Sequence, residues 1–233
     1  MCGRFALFAS PELVADYFAL AEPPSVAPHY NVTPGQDIPA VRVDRDGVRR
    51  LRALRWGLVP FWAKDATIGR RLINARLESL ADKPAFREAL TRRRCLIPAS
   101  GFYEWGVDAA GKKQPFFIRA RSEPLLAIAG LWERWRPHGG QGGESGEPLE
   151  TCVIVTTEAS SLLAPIHDRM PVVLSRDAQD VWLDPSSDVA TIAELAADGP
   201  ELEAWPVGSA VNDPRNDDER VLAPAPARVT GSA

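Results

Sequence analysis

This sequence has no apolar run near the ~18–20 residues that a membrane-spanning helix requires, and it does not begin with the basic-then-apolar pattern of a secretory signal. The two absences lead to the expectation of a cytoplasmic protein with no membrane partner. Cysteine is scarce: three residues, an odd number, do not make the disulfide framework of a small secreted domain. There is no CxxC pair and no Cys/His spacing suited to zinc, so neither a metal nor an organic cofactor is expected. Cys95, in RRRCLIPAS, and Cys152, in TCVIVTT, sit among strand-like apolar residues and read as buried packing groups. No internal repeat is present, which argues against solenoid and propeller architectures.

What is present is ordinary globular chemistry, 45% hydrophobic and 25% charged over 233 residues, enough for a substantial core. The net charge of −4 conceals an asymmetry. Residues 1–136 hold 22 Lys and Arg against 14 Asp and Glu, a net of +8, and residues 137–233 hold 5 against 17, a net of −12. Trp56, Trp62, Trp105, Trp132 and Trp135 all fall in the basic part and read as lying in or near loops. Cations interleaved with flat rings suit single-stranded nucleic acid, whose phosphates need charge and whose unstacked bases need ring partners. Arginine clusters such as Arg49-Arg50, Arg70-Arg71 and Arg92-Arg93-Arg94 also suit a plain solvated face.

Ser10 followed by Pro11-Glu12-Leu13-Val14 predicts an N-capped helix, and residues 38–43 and 48–54 alternate like hairpin strands about Asp46-Gly47. A helix is expected around residues 84–90, strands at 95–98, 114–119, 125–130, 151–156 and 171–174, and further helices near 159–163, 176–183 and 189–197. Residues 137–148 (PHGGQGGESGEP) predict a flexible surface insertion, and residues 223–233 a loose tail. Strands and helices do not alternate regularly. The expectation is one α+β domain over residues 1–222.

Four polar positions stand out. Cys2 follows the initiator methionine, and removal of Met1 would leave an amine and a thiol on one residue, a 1,2-aminothiol. Such an amine titrates near ~7.7–8.0 and a thiol near ~8.5, so each is partly nucleophilic at neutral pH, although first residues are commonly frayed and idle. Glu104 lies between aromatics in Gly101-Phe102-Tyr103-Glu104-Trp105, where desolvation suits an acid/base, unless it is a strand-edge carboxylate facing water. His167, in Ile166-His167-Asp168-Arg169, is the one histidine in a polar cluster between hydrophobic segments; His138 falls in the glycine-rich insertion, and His29 suits local hydrogen bonding. Asn74 follows Leu72-Ile73 and suits either orientation of a reacting group or a turn.

In order along the chain, Met1-Cys2-Gly3-Arg4-Phe5, Tyr30-Asn31-Val32-Thr33-Pro34-Gly35, Trp56-Gly57-Leu58-Val59-Pro60-Phe61-Trp62, Ile73-Asn74-Ala75-Arg76, Gly101-Phe102-Tyr103-Glu104-Trp105, Ala129-Gly130-Leu131-Trp132 and His167-Asp168-Arg169-Met170-Pro171 resemble the SOS-response-associated peptidase family, abasic-site processing proteins that crosslink to DNA. Ala210-Val211-Asn212-Asp213-Pro214-Arg215 is a weaker echo. The resemblance implies a barrel-like core of mixed, largely antiparallel sheets with peripheral helices, acting as a monomer. It implies single-stranded DNA containing abasic sites as substrate and partner. Cys2 would supply both nucleophiles, Asn74 would orient the first residue, Glu104 would shuttle protons and His167 would assist opening of the sugar. Arg4, Arg76 and Arg169 would hold phosphates, and Trp62 would wedge beside the lesion. A thiol peptidase or amidohydrolase using Cys2, and a non-covalent single-strand binder, are the other two functions compatible with these residues.

Overall fold

The computed structural model describes residues 2–107, 111–137, 146–195 and 198–225. In chain order the strands are β1 (Phe5–Leu7), β2 (His29–Val32), β3 (Asp37–Val43), β4 (Arg49–Trp56), β5 (Asn74–Arg76), β6 (Arg94–Ala99), β7 (Gly101–Val107), β8 (Lys113–Ala120), β9 (Leu126–Trp135), β10 (Leu149–Glu158), β11 (Arg169–Pro171), β12 (Val173–Leu174) and β13 (Leu202–Pro206). The helices are α1 (Pro11–Tyr17), α2 (Arg87–Arg92), α3 (Arg176–Leu183) and α4 (Val189–Leu195). Most of the 137–148 insertion and of the 223–233 tail lies outside the described residues.

Five strands close on themselves. β10 pairs with β4, β4 with β3, β3 with β6, β6 with β9, and β9 returns to β10; only the β4–β10 pairing in this ring is parallel. The α+β barrel-like expectation is borne out. Cross-strand register shows what fills the barrel. Ile38 faces Leu54, Cys95 faces Gly130, and Cys152 faces both Trp56 and Trp132; Ile38, Leu54, Trp56, Cys95 and Cys152 are all buried. Gly130 is needed inside, since a β-carbon there would come within 3.0 Å of the Cys95 sulfur and 3.1 Å of the Val153 carbonyl oxygen. Closure removes the exposed edges that would otherwise recruit another strand.

The second sheet runs β13-β8-β7-β1-β2 and is antiparallel throughout. One face, with Phe5, Phe102 and Ile118, joins the main core; the other, with Ala6, Tyr103 and Phe117, packs under Val207, Val211 and Val221. Because both faces are covered, β1 reads Phe-Ala-Leu with every residue buried and no alternation. Phe5 stands over Trp56 with ring centroids 5.4 Å apart, so β1 covers one mouth of the barrel.

The Ser10 cap is as expected, its hydroxyl accepting from the Leu13 amide, a contact of about 1 kcal/mol. Two helical expectations need correction. Residues 159–163 form no helix: the Leu163, Ala164, Ile166 and His167 amides make only turn bonds, and Pro165 brings no amide to continue them. The helix expected at 84–90 begins instead at Arg87 and runs to Arg92, with Pro84 in the preceding turn. Nor are the tryptophans loop residues as a group. Trp56, Trp105, Trp132 and Trp135 lie in strands, and only Trp62 of the five is strongly exposed, at 45%.

Candidate active site

Register brings the polar residues together. Phe5 pairs with Phe102 and Ala6 with Gly101, and the Tyr103 amide donates to the Arg4 carbonyl at 2.9 Å. Continuing that antiparallel register sets Gly3 opposite Glu104, which carries Cys2 to the carboxylate. From the barrel side, β5 pairs with β10 through Asn74 and Ile154, and Asn74 Nδ2 donates to the Cys2 carbonyl oxygen at 2.8 Å. The Asn74 Oδ1 is buried with no hydrogen-bond partner among the described residues. Cys2 is thus held between the two sheets and is fully buried.

His167 arrives on the turn joining β10 to β11. That turn packs on β7 at Gly106, two residues beyond Glu104 and on the same strand face, where an added β-carbon would lie 3.4 Å from the Ile166 α-carbon. Four sequence-predicted residues from four separate segments therefore meet: Cys2 ahead of β1, Asn74 on β5, Glu104 on β7 and His167 before β11.

The site's electrostatics follow from burial. Glu104 is 5% exposed, and desolvation raises its carboxyl above the ordinary range while the nearby His167 pulls it back. A carboxyl so raised keeps its proton closer to neutrality. Burial also pushes the Cys2 thiol well up; the Glu104 charge adds to this, and the Arg4 amide hydrogen-bonded to the sulfur opposes it. The thiol is therefore protonated at neutral pH. His167 Nδ1 accepts from the Arg169 amide at 2.9 Å and also lies 2.9 Å from Asp168 Oδ1. These contacts demand opposite states: the amide needs a bare Nδ1, the carboxylate a protonated one. The geometry of the amide is fixed by β11, whereas Asp168 is 86% exposed, so Nδ1 is assigned as the acceptor and Nε2 as the ring nitrogen that bears hydrogen.

Of the proposed phosphate contacts, Arg76 is exposed on β5 beside the site. Arg169 gives one nitrogen to Glu78 and the Thr156 carbonyl, and its Nε has no partner among the described residues. Arg4 Nη1 donates to Asn31 Oδ1 and the Val211 carbonyl, and its guanidinium stacks 5.6 Å from the Trp105 ring. Trp62 is exposed beside Phe61, itself 48% exposed.

Asn31 is the residue whose importance the sequence concealed. At 2% exposure, its Nδ2 is within hydrogen-bonding distance of the carbonyls of Val211, Asp213 and Asn216 while its Oδ1 accepts from Arg4. Asp217 supports it by accepting from the Tyr30 and Asn31 amides and from His29; burial opposes ionisation there, and these bonds outweigh it, holding the carboxyl below its usual range. This knot ties the 210–217 segment to β2 and fixes Arg4 two residues from Cys2. An asparagine at the end of a short strand, with its partners about 180 residues away, gave no local signal beyond its place in a motif.

Comparison with known proteins agrees with this arrangement. The family model for the SOS response associated peptidase (SRAP) matches residues 1–214. Over 228 residues the chain is 42% identical to the abasic site processing protein YoaM of Bacillus subtilis (strain 168), covering 95% of this chain and 97% of that protein. It is 34% identical over 238 residues to the abasic site processing protein YedK of Escherichia coli (strain K12), covering 96% and 100%. A crystal structure of a Bacteroides thetaiotaomicron protein superposes with a TM-score of 0.81 at 27% identity, covering 96% of this chain and 100% of that one. With the match spanning both sheets and all four clustered residues, the chain belongs to the SOS response associated peptidase (SRAP) family, that of the abasic site processing proteins.

Proposed function

We propose that this protein captures abasic sites in single-stranded DNA covalently, as a thiazolidine formed on Cys2 after Met1 is removed, and so shields the lesion during repair. The convergence of Asn74, Glu104 and His167 on Cys2 carries this reading. With Met1 attached, the Cys2 nitrogen is an amide and forms no imine. Freed, the amine adds to the C1 aldehyde of the ring-opened deoxyribose. Glu104, poised by burial to hold a proton, protonates the departing hydroxyl, and one water leaves. The thiol sulfur then attacks the carbon of the resulting protonated imine, the thiol proton returns to the Glu104 carboxylate, and the C=N electrons settle on nitrogen as a neutral secondary amine. The net change is one water lost and a five-membered ring gained.

The remaining residues prepare these steps. Asn74 holds the Cys2 carbonyl, which fixes the amine's direction, and its Oδ1, without a partner among the described residues, is available to the incoming amine or hydroxyl. His167, with Nδ1 engaged by the Arg169 amide, works through Nε2–H and would donate to the ring oxygen as the sugar opens. Arg4, Arg76 and Arg169 would hold the flanking phosphates, and Trp62 would stack on a neighbouring base. A thiol peptidase reading asks for a thiolate, which burial and the Glu104 charge both disfavour. Release of Met1 by this same site is the part of the peptidase reading retained here.

A denaturing gel tests the proposal. The mature protein is incubated with an abasic oligonucleotide, an undamaged one and a casein-like substrate. A shifted band with the abasic strand alone is the expected result; proteolysis of the casein-like substrate, or complexes that survive only on native gels, would overturn it.

A further inference from the structure

The barrel's second mouth has a different character. The interior faces of β3 and β4 continue past Ile38, Ala40 and Leu54 to Arg42, Arg52 and Arg50, which the register keeps on one face. Trp132 and Arg134 continue the same face of β9, with Glu150 opposite Arg134 on β10. The result is a depression of about 960 Å³ lined by seven arginines and three carboxylates, an excess of four positive charges. Its floor is a flat ring, Trp132, with the Arg42 guanidinium 4.2 Å from the ring centroid.

The carboxylates present do not neutralise it. Asp44 pairs with Arg42, Arg50 and Arg52, Glu150 also with Arg42 and Asp46 also with Arg50, but each guanidinium carries five donors, more than these carboxylates engage. Arg45, Arg92 and Arg134 stand exposed at the rim, with no salt bridge among the described residues. Trp132 closes the Ala129–Trp132 motif, to which the chemistry at Cys2 gives no task. Along β10, Glu150 lies four residues from Ile154, the partner of Asn74, or about 13 Å.

We propose that this arginine-lined mouth is a second phosphate-binding surface, gripping the backbone of the same DNA strand several nucleotides away from the lesion held at Cys2. Arg93 is held by Glu88 and Glu133, so the charge open to a ligand is that of Arg45, Arg92 and Arg134; their fork-shaped donors, together at one rim, suit the phosphodiesters of a polyanion that passes over it. A strand long enough to reach both sites gains the second contact at high effective concentration, and a short one gains nothing. This inference rests on the reading that the chain acts on single-stranded DNA, and it concerns affinity alone.

The test combines Arg45→Glu, Arg92→Glu and Arg134→Glu, rim positions whose reversal breaks no salt bridge described above, with folding checked by thermal melting. Affinity for undamaged oligonucleotides of 5 and 20 nucleotides is measured across a salt series. The proposal expects the 20-mer to weaken about tenfold, its log–log salt slope to flatten by about 2 for three lost contacts, and the 5-mer to be unaffected. The milder triple change to glutamine should give a smaller loss in the same direction. An unchanged 20-mer slope, or equal losses at both lengths, would overturn the second surface. So would titration with inorganic phosphate that shows tight occupancy of the mouth while 20-mer affinity is unaltered by the variants. Crosslinking of wild type to an abasic 5-mer is followed separately: its failure would sink the covalent reading and leave the length dependence to stand or fall alone.

Discussion

At one mouth of the barrel Phe5 lies over Trp56 and a second sheet covers both; at the other Arg42 lies over Trp132 and nothing among the described residues covers them. The residues that titrate at the two mouths respond in opposite directions. Under the cover, desolvation lifts the Glu104 carboxyl and the Cys2 thiol toward their neutral forms. At the open mouth, Arg50 holds the Asp46 carboxyl down at about 2, and three guanidiniums outweigh the burial of Asp44. Acid/base chemistry needs a proton that can be lent near neutrality, which the covered mouth supplies; charge neutralisation needs permanent cations, which the open mouth supplies. On the two proposals made above, the same barrel separates reaction from grip.

The largest effect that would break this division is at Cys2. Cys2→Ala and Cys2→Ser both keep the α-amine and lose the sulfur, so each should lose the stable DNA adduct and leave only a borohydride-trappable imine; both are read on denaturing gels. Next, Glu104→Ala and His167→Ala should slow crosslinking by roughly 10²-fold or more with undamaged-strand affinity unchanged. Equal losses of rate and affinity would assign both residues to binding and erase the contrast between the mouths.

Asn31 sharpens the comparison from the structural side. Asn31→Ala would remove the side-chain donor from three carbonyls, of which that of Val211 keeps Arg4 and that of Asp213 keeps the Asn216 amide, and would leave one face of Arg4 unpaired; it should lower stability by about 1–3 kcal/mol in urea unfolding. A smaller experiment follows the pH dependence. The folded-state carboxyl of Glu104 is raised above its unfolded value near ~4.3, so the folded state binds more protons there and loses stability as pH rises through that window. Glu104→Gln should accordingly be more stable than wild type at neutral pH, with the gain fading as pH falls below about 4; a gain that grows toward acid would contradict the assignment. The smallest expected effect is a flattening of the single-strand salt slope by about 0.7 on losing Arg4, Arg76 or Arg169 singly. For Arg4, held inside by Asn31, a slope unchanged beside a fall in stability would mark it as structural.

Much of this was legible in the sequence because local patterns report local physics. Ser10 capped its helix, 38–43 and 48–54 paired as written, and α3 fell on 176–183. The four site residues were legible as odd polar groups in apolar settings and as parts of motifs. What stayed hidden was long-range. β1 and β7, buried on both faces, lack alternation; β13 offers five residues that pair only with β8. The 159–163 segment has helical composition, but Pro165 follows and the chain is needed as a turn to carry His167 onto β7. The arginine clusters could not be sorted from spacing: Arg94 is buried against the Leu90 and Asp184 carbonyls and Arg49 pairs with Asp180, while Arg92 stands at an open rim.

The central claim is that one residue, Cys2, supplies both bonds to the lesion. Intact-mass analysis of the protein–DNA adduct tests it most directly. The account predicts a chain lacking Met1 joined to the abasic strand with loss of one water, its mass unchanged by borohydride because no imine remains. An adduct on a chain that still carries Met1, or one that borohydride reduces, would contradict it.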